Sequence, residues 1–159
     1  MSREISNTLL QFYPSMRLPI QIEAILFRRK NGRTQYLLLK RTPEREGFWQ
    51  PITGGVEEEE TRIDALKREV TEETGIKDIL GIIEGIHYFE FSDPYLNKEY
   101  VYGVEVSADE KVVIDENEHS EFRWCSLQET LRLMKWKENK EALKKLNGIL
   151  RTSVSDRQC

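Results

Sequence analysis

The sequence predicts an α/β (α+β) domain in which a central mixed β-sheet lies between helical layers. Three observations support this class: paired runs of alternating apolar residues near the start, an amphipathic helical pattern in the middle, and a second helical pattern near the end. Strands followed by a helix, more strands and more helix are typical of such a fold. A chain of 159 residues can bury one core but is short for two ordinary domains, so we expect a single domain over residues 1–159.

The first predicted elements are two strands joined as a hairpin. Residues 20–29 and 35–41 are apolar, alternating and rich in β-branched or large aliphatic side chains. Asn31 and Gly32 between them can supply the positive φ that a tight turn needs. The next stretch, GFWQPITGG, is expected to be extended and to end in a turn.

A helix is predicted from Thr61 to Thr74, because Ile63, Leu66 and Val70 recur at helical spacing and Gly75 is a suitable C-terminal stop. Further strands are predicted at 79–91, 99–107 and 121–127. The pattern then indicates helix from Gln128 to Leu150, with a break near residues 136–139. The apolar stripe of that last helical region consists of Leu131, Met134, Leu143 and Leu146.

Composition and charge exclude several functions. The net charge is −4, the pI is about 5.4 and the Lys and Arg residues are scattered, so we expect no binding of duplex nucleic acid. No apolar run approaches the roughly 20 residues that span a bilayer, and the N-terminus lacks the pattern of a secretion signal. We therefore predict a cytoplasmic protein without a membrane segment, whose two cysteines, Cys125 and Cys159, are free thiols.

The predicted central helix carries a group of carboxylates on one face. At about 100° per residue, Glu69, Glu72 and Glu73 fall within one sector, away from the apolar stripe. Such a group is typical of an exposed, salt-bridged helix, but it also suits a hard divalent cation that prefers oxygen ligands. Arg68 lies beside them and can steady a carboxylate through its planar fork.

The order of these residues indicates more than a charged surface. From Gly54 onward the sequence matches G-x5-E-x7-R-E-U-x-E-E-x-G-U, where U is a bulky aliphatic residue. The matching residues are Gly54, Glu60, Arg68, Glu69, Val70, Glu72, Glu73, Gly75 and Ile76. This is the Nudix box (54–76), and the chain resembles the Nudix hydrolase family over most of its length. The resemblance implies an αβα sandwich, a Mg²⁺ or Mn²⁺ cofactor, and hydrolysis of a nucleoside diphosphate linked to another moiety.

The resemblance also implies roles for individual residues. Glu69 and Glu73 would be direct metal ligands, Glu72 a further ligand or a bridge to a second metal, and the carbonyl of Gly54 an added oxygen ligand. Either Glu72 or Glu118 would accept the proton of the attacking water, and the sequence does not choose between them. Arg68 belongs with the catalytic residues. Glu57, Glu58 and Glu59 occupy variable positions of the box, and we interpret them as solvated.

The flanks of the box resemble one branch of the family. FWQ before the box, and Glu118 and His119 before an aromatic-rich strand, are similar to bacterial dATP pyrophosphohydrolases and dihydroneopterin triphosphate pyrophosphatases. On that resemblance Glu118 would be a late metal ligand and Arg41 a phosphate contact. Trp49 would either stack on a base or belong to the core. His119 is interpreted as a structural loop residue.

The predicted function is therefore metal-dependent hydrolysis of a nucleoside or pterin triphosphate to the monophosphate and pyrophosphate. A dinucleoside tetraphosphate hydrolase is the alternative, although Thr53 stands where such enzymes typically have Lys. A domain of another class, which binds a nucleotide without turnover, would commonly lack box residues, and none is missing here. The expected partner is a nucleotide or nucleotide-like small molecule, and a homodimer is possible.

Overall fold

The computed structural model describes residues 19–158, with side chains described for 19–152. Seven strands and three α-helices are present in this part of the chain, together with a short 3-10 turn at Pro43–Arg45. In chain order the strands and helices are β1 (Ile20–Lys30), β2 (Arg33–Arg41), β3 (Trp49–Gln50), β4 (Ile52–Gly55), α1 (Arg62–Thr74), β5 (Ile79–Ser92), β6 (Leu96–Val106), β7 (His119–Cys125), α2 (Leu127–Leu133) and α3 (Lys137–Gln158).

The sheet is mixed and is organised around β1. This strand runs parallel to β6 and antiparallel to its other partners. Its first half, Gln21–Ala24, pairs with β4, whereas its second half, Phe27–Lys30, pairs with β2. Strand β2 then continues away from β1 and pairs with β3 and β7. Because β2 and β4 use different halves of β1, they diverge and leave a cleft between them.

The two faces of the sheet pack against different helices. Alternate residues of β1 point to opposite faces: Ile22, Ala24 and Leu26 join one buried cluster, and Ile25 and Phe27 join another. The first cluster includes Leu66 and Val70 of α1, and the second includes Leu143 and Leu146 of α3. The expected αβα sandwich with a central mixed sheet is therefore confirmed.

Most predicted elements are present, with differences near β7. The strand predicted at 121–127 begins earlier and ends at Cys125, because the side chain of Ser126 accepts a hydrogen bond from the amide of Glu129 and starts α2. The loop position predicted for His119 is wrong, since this residue is buried at the first position of β7. The C-terminal helical region is interrupted as predicted, but the break lies at residues 134–136, between α2 and α3, rather than at 136–139.

Two smaller expectations concern cysteines and membranes. Cys125 is a buried free thiol, as predicted, whereas Cys159 lies outside the described residues. Within residues 19–158, no helix combines the length and the apolar character that a membrane span requires.

Candidate active site

Helix α1 is held at both ends by local hydrogen bonds. The Thr61 hydroxyl accepts from the amide of Asp64 at 3.0 Å, and the Asp64 carboxylate accepts from the amide of Thr61 at 3.3 Å, which forms a capping box. At the other end Gly75 adopts φ 74° and donates its amide to the carbonyl of Thr71. The helix therefore presents its carboxylates from a fixed frame.

Arg68 connects this helix to the preceding loop. Its guanidinium donates to both carboxylate oxygens of Glu60, at 2.8 and 3.0 Å, and to the carbonyl of Gly55 at 2.9 Å. It also donates to Glu69 at 2.7 Å and to Glu72 at 3.3 Å. The hydrogen bonds from Arg68 lower the pKa of Glu60. Because all of these hydrogen bonds are made to groups of the protein itself, Arg68 is placed to orient the carboxylates around it.

Glu73 is the most buried carboxylate of this helix, with 5% of its surface exposed. Burial, together with the nearby charges of Glu69 and Glu118, raises the pKa of Glu73 to about 9. Its Oε2 atom has no hydrogen-bond partner. Burial also raises the pKa of Glu69, although the hydrogen bond from Arg68 opposes that change. Both carboxylates are thus placed where a bound cation would offset desolvation and mutual repulsion.

Glu118 and His119 reach Glu73 from a distant part of the chain. His119 pairs with Arg41 of β2, and the carbonyl of Glu118 accepts a hydrogen bond from the amide of Thr42 at 3.2 Å. As a result, potential ligand atoms of Glu73, Glu118 and His119 lie within 4.8 Å of one another. Burial lowers the pKa of His119, and its Nδ1 atom has no hydrogen-bond partner.

These side chains open into a small polar cleft of about 120 Å³. Two guanidinium groups, Arg41 and Arg45, lie on its wall, and Arg45 is 3.9 Å from the carboxylate of Glu118. The Nε of Arg41 also donates to the carbonyl of Arg45 at 2.9 Å. The cleft is lined by Arg41, Arg45, Gln50, Thr53, Glu73, Glu118 and His119. It therefore combines carboxylates that suit a cation with guanidiniums that suit a phosphate.

Gly54 packs closely against the side chain of Glu69 in the helix. A Cβ at this position would overlap the side chain of Glu69, coming within 2.6 Å of its Cγ. The backbone of β4 therefore passes directly beside a predicted metal ligand. The predicted ligation by the Gly54 carbonyl stays a prediction, and this close approach is consistent with it.

The remaining predicted site residues lie at different distances from the cleft. Glu72 is 58% exposed and in contact with Arg68. Trp49 packs against the second buried cluster, with the guanidinium of Arg123 at 4.9 Å from its ring, and it is not among the residues that line the described cleft. Glu57, Glu58 and Glu59 are exposed, as their solvated interpretation requires.

Several residues of this site were not predicted from the sequence. The sequence identifies Glu60 only as a box position, and its two hydrogen bonds with Arg68 depend on the folded loop. Arg45 carries no sequence signal for a site, whereas Gln50 belongs to the FWQ motif and Thr53 to the segment before the box, neither of which by itself predicts a place in the cleft. For His119 a signal existed, because it directly follows Glu118 in the motif before β7.

The family match and the hydrolases among its relatives define the class of protein, the hydrolases that act on phosphate anhydrides. Within that class the chain belongs to the NUDIX family, since residues 19–146 match the model of the NUDIX domain.

Three curated relatives are similar over much of the chain. An octanoyltransferase of Myxococcus xanthus is 30% identical over 149 residues; the match covers 89% of this chain but only 42% of that protein. An asymmetrical bis(5'-nucleosyl)-tetraphosphatase of Mus musculus is 32% identical over 140 residues, covering 79% of this chain and 91% of that protein. A nucleoside triphosphatase of Escherichia fergusonii is 36% identical over 109 residues, covering 59% of this chain and 74% of that protein.

The chain is also similar to solved structures, including one described as a NUDIX hydrolase. A protein of Listeria monocytogenes described as a NUDIX hydrolase superposes with a TM-score of 0.74 at 30% identity, over 85% of this chain and 96% of that one. The dihydroneopterin triphosphate pyrophosphohydrolase of E. coli superposes with a TM-score of 0.67 at 25% identity, over 80% of this chain and 93% of that one.

Proposed function

We propose that the protein hydrolyses a nucleoside or pterin triphosphate to the monophosphate and pyrophosphate by attack of water on phosphorus. The observation that carries this proposal is the buried carboxylate of Glu73, with one unpartnered oxygen, facing Glu118 in a cleft that also holds two arginines. A carboxylate in that state suits a divalent cation, and the guanidiniums suit the phosphates of the substrate.

The residues present fit Mg²⁺ or Mn²⁺. Glu69, Glu73 and Glu118 would hold the ion, with Glu72 and the Gly54 carbonyl as further oxygen ligands, because hard cations prefer such donors. When bound, the ion would neutralise the negative charge that a polyphosphate brings and that increases during attack on phosphorus.

The protein's own side chains would bind the substrate, accept the proton of the attacking water and orient the carboxylates. Arg41 and Arg45 would bind and orient phosphate oxygens along one wall of the cleft. The proton of the attacking water would pass to Glu118 or Glu72, and of these only Glu118 lines the described cleft. Arg68 would keep Glu69 and Glu72 in position through its hydrogen bonds.

The comparisons support two substrate classes. The relative in Escherichia fergusonii acts on nucleoside triphosphates, and the E. coli structure is that of a pterin triphosphate pyrophosphohydrolase. The mouse relative, which matches over 91% of its own length, favours a dinucleoside tetraphosphate as the second candidate.

The test is a substrate panel with product identification, with and without Mg²⁺ or Mn²⁺. It would contain the dNTPs, dihydroneopterin triphosphate, diadenosine tetraphosphate, ADP-ribose and NADH. Pyrophosphate plus a monophosphate from a triphosphate supports the first candidate, and ATP plus AMP from the dinucleotide supports the second. Binding without turnover of every compound, in the presence of metal, would contradict both.

A further inference from the structure

An aromatic surface adjoins the arginine wall of the cleft. It consists of Phe48, just before β3, and of Lys135 and Trp136, in the turn between α2 and α3; we call it the aromatic platform. The rings of Phe48 and Trp136 meet edge to face, with centroids 6.2 Å apart and an interplanar angle of 85°. The two segments come from distant parts of the chain, and together they form one surface.

Cations connect this platform to the cleft. The Arg41 guanidinium, which lines the cleft, lies 5.2 Å from the centre of the Phe48 ring. The Lys135 ammonium lies 5.0 Å from the Phe48 ring and 4.7 Å from the Trp136 ring. A phosphate bound at Arg41 would therefore lie beside the Phe48 ring, and the ammonium of Lys135 adds positive charge next to both rings.

Trp136 is exposed, and packing in the hydrophobic core does not explain its position. Its side chain is 51% exposed, and it belongs to neither buried cluster. Trp49, by contrast, packs against the core and has the Arg123 guanidinium over its ring. An indole that stays half exposed beside a polar cleft offers a flat face for stacking.

We infer that Trp136, supported by Phe48 and Lys135, stacks on the heteroaromatic ring of the substrate whose phosphates occupy the cleft. This inference rests on the proposed function and adds the position of the base or pterin. Stacking uses the π-face that every such ring has, and the larger contact area of purines and pterins gives them a modest advantage over pyrimidines. Lys135 adds attraction for the phosphate nearest the ring.

The test compares the binding of two compounds of the kind that the proposed reaction releases, a nucleoside monophosphate and pyrophosphate. GMP carries the ring and one phosphate, whereas pyrophosphate carries phosphates without a ring. We expect Trp136→Ala to raise the Kd of GMP about 5- to 150-fold, the usual loss for one stacked base. The Kd of pyrophosphate should not change, and Trp136→Phe should restore most of the GMP affinity. Tyr95→Ala, at another exposed aromatic residue, is the matched control.

The outcomes separate this inference from the proposed function. Unchanged GMP binding in Trp136→Ala, or equal weakening of GMP and pyrophosphate, would overturn the stacking role even in an active enzyme. A wild-type protein that binds GMP through Trp136 but hydrolyses no triphosphate or dinucleotide would overturn the proposed function alone. Thermal unfolding of each variant shows whether the fold is retained.

Discussion

At the scale of single residues, the buried charge of Glu73 carries an electrostatic cost that a bound proton or a bound cation can offset. Replacing Glu73 with Gln removes the charge and keeps the shape. We expect Glu73→Gln to lower kcat by at least about 100-fold, while the metal-free protein is as stable as wild type or more stable, by up to about 1–3 kcal/mol. Activity assays and denaturant unfolding of the metal-free protein measure the two effects.

The control for this change is Glu59→Gln. Glu59 is exposed in the loop before α1, where we expect no ligation, so its neutralisation should alter activity only modestly. Wild-type turnover in a folded Glu73→Gln protein, or full activity in excess EDTA, would contradict the assignment. A loss in Glu59→Gln as large as that in Glu73→Gln would show that other carboxylates face the metal.

Glu118 and Glu116 test the contribution of the loop before β7. Glu118 lies with Glu73 at the cleft, whereas Glu116 is exposed two residues earlier. We expect Glu118→Gln to reduce turnover strongly, by about 10- to 100-fold, and to raise the metal concentration that gives half-maximal activity. Glu116→Gln should remain close to wild type. Equal small effects of both changes would show that the metal ligands and the general base all lie on α1.

The sequence predicted the site residues that belong to a motif and missed those that depend on folding. Glu69, Glu72 and Glu73 share a helix face, so spacing alone places them together. His119 reaches Glu73 only because β7 pairs with the end of β2, and local sequence does not specify that pairing. Arg45 enters the cleft through a short turn after β2, which has no recognisable motif.

At the scale of elements, the Arg68 fork joins the loop at residues 55–60 to helix α1. A lysine keeps the charge but cannot reach Glu60, Glu69 and the Gly55 carbonyl together. We expect Arg68→Lys to lower the free energy of unfolding by about 1–3 kcal/mol and to reduce kcat, since the carboxylates lose their orientation. Lys67→Arg, one position earlier, is the control and should change neither quantity. An Arg68→Lys protein with wild-type stability and kcat would show that the fork is dispensable.

Local signals also explain which elements were predictable. Helix α1 begins and ends as expected, because its apolar spacing, its Thr61 cap and its Gly75 stop all lie within the segment itself. The start of α2 was placed one residue late, because Ser126 was read as part of a strand, whereas its side chain caps the helix. Strands β3 and β4 are short and separated by Pro51, so the pattern indicated only an extended segment.

At the scale of the whole molecule, the cleft exists because β1 divides its pairing between β4 and β2. The sequence indicated a hairpin and a mixed sheet, but it gave no register and no parallel pairing of β1 with β6. That parallel pairing brings together residues far apart in the chain, including two carboxyl groups, Glu23 and Glu99. Both are buried on the sheet, and the side chain of Asn139 in α3 donates a hydrogen bond to Glu23.

This buried pair predicts a pH dependence of stability that is independent of the active site. Burial raises the pKa of Glu99 from its ordinary 4.5 to about 7, and burial with the charge of Glu99 raises the pKa of Glu23. The folded protein therefore holds these protons more tightly than the unfolded chain does. The contribution of Glu99 is complete below about pH 4.5 and is lost as the pH rises through about 7, and Glu23 changes stability in the same direction.

Glu99→Gln should remove much of that loss, because the amide stays neutral at every pH. We expect the variant to be more stable than wild type by about 1–3 kcal/mol at pH 8 and to differ much less at pH 4.5. Urea unfolding of the metal-free proteins between pH 4.5 and 8 measures the difference. Glu105→Gln, a less buried carboxylate on the same strand, is the control and should follow the wild-type curve. Parallel curves for wild type and Glu99→Gln would show that the buried pair does not release its protons in this range.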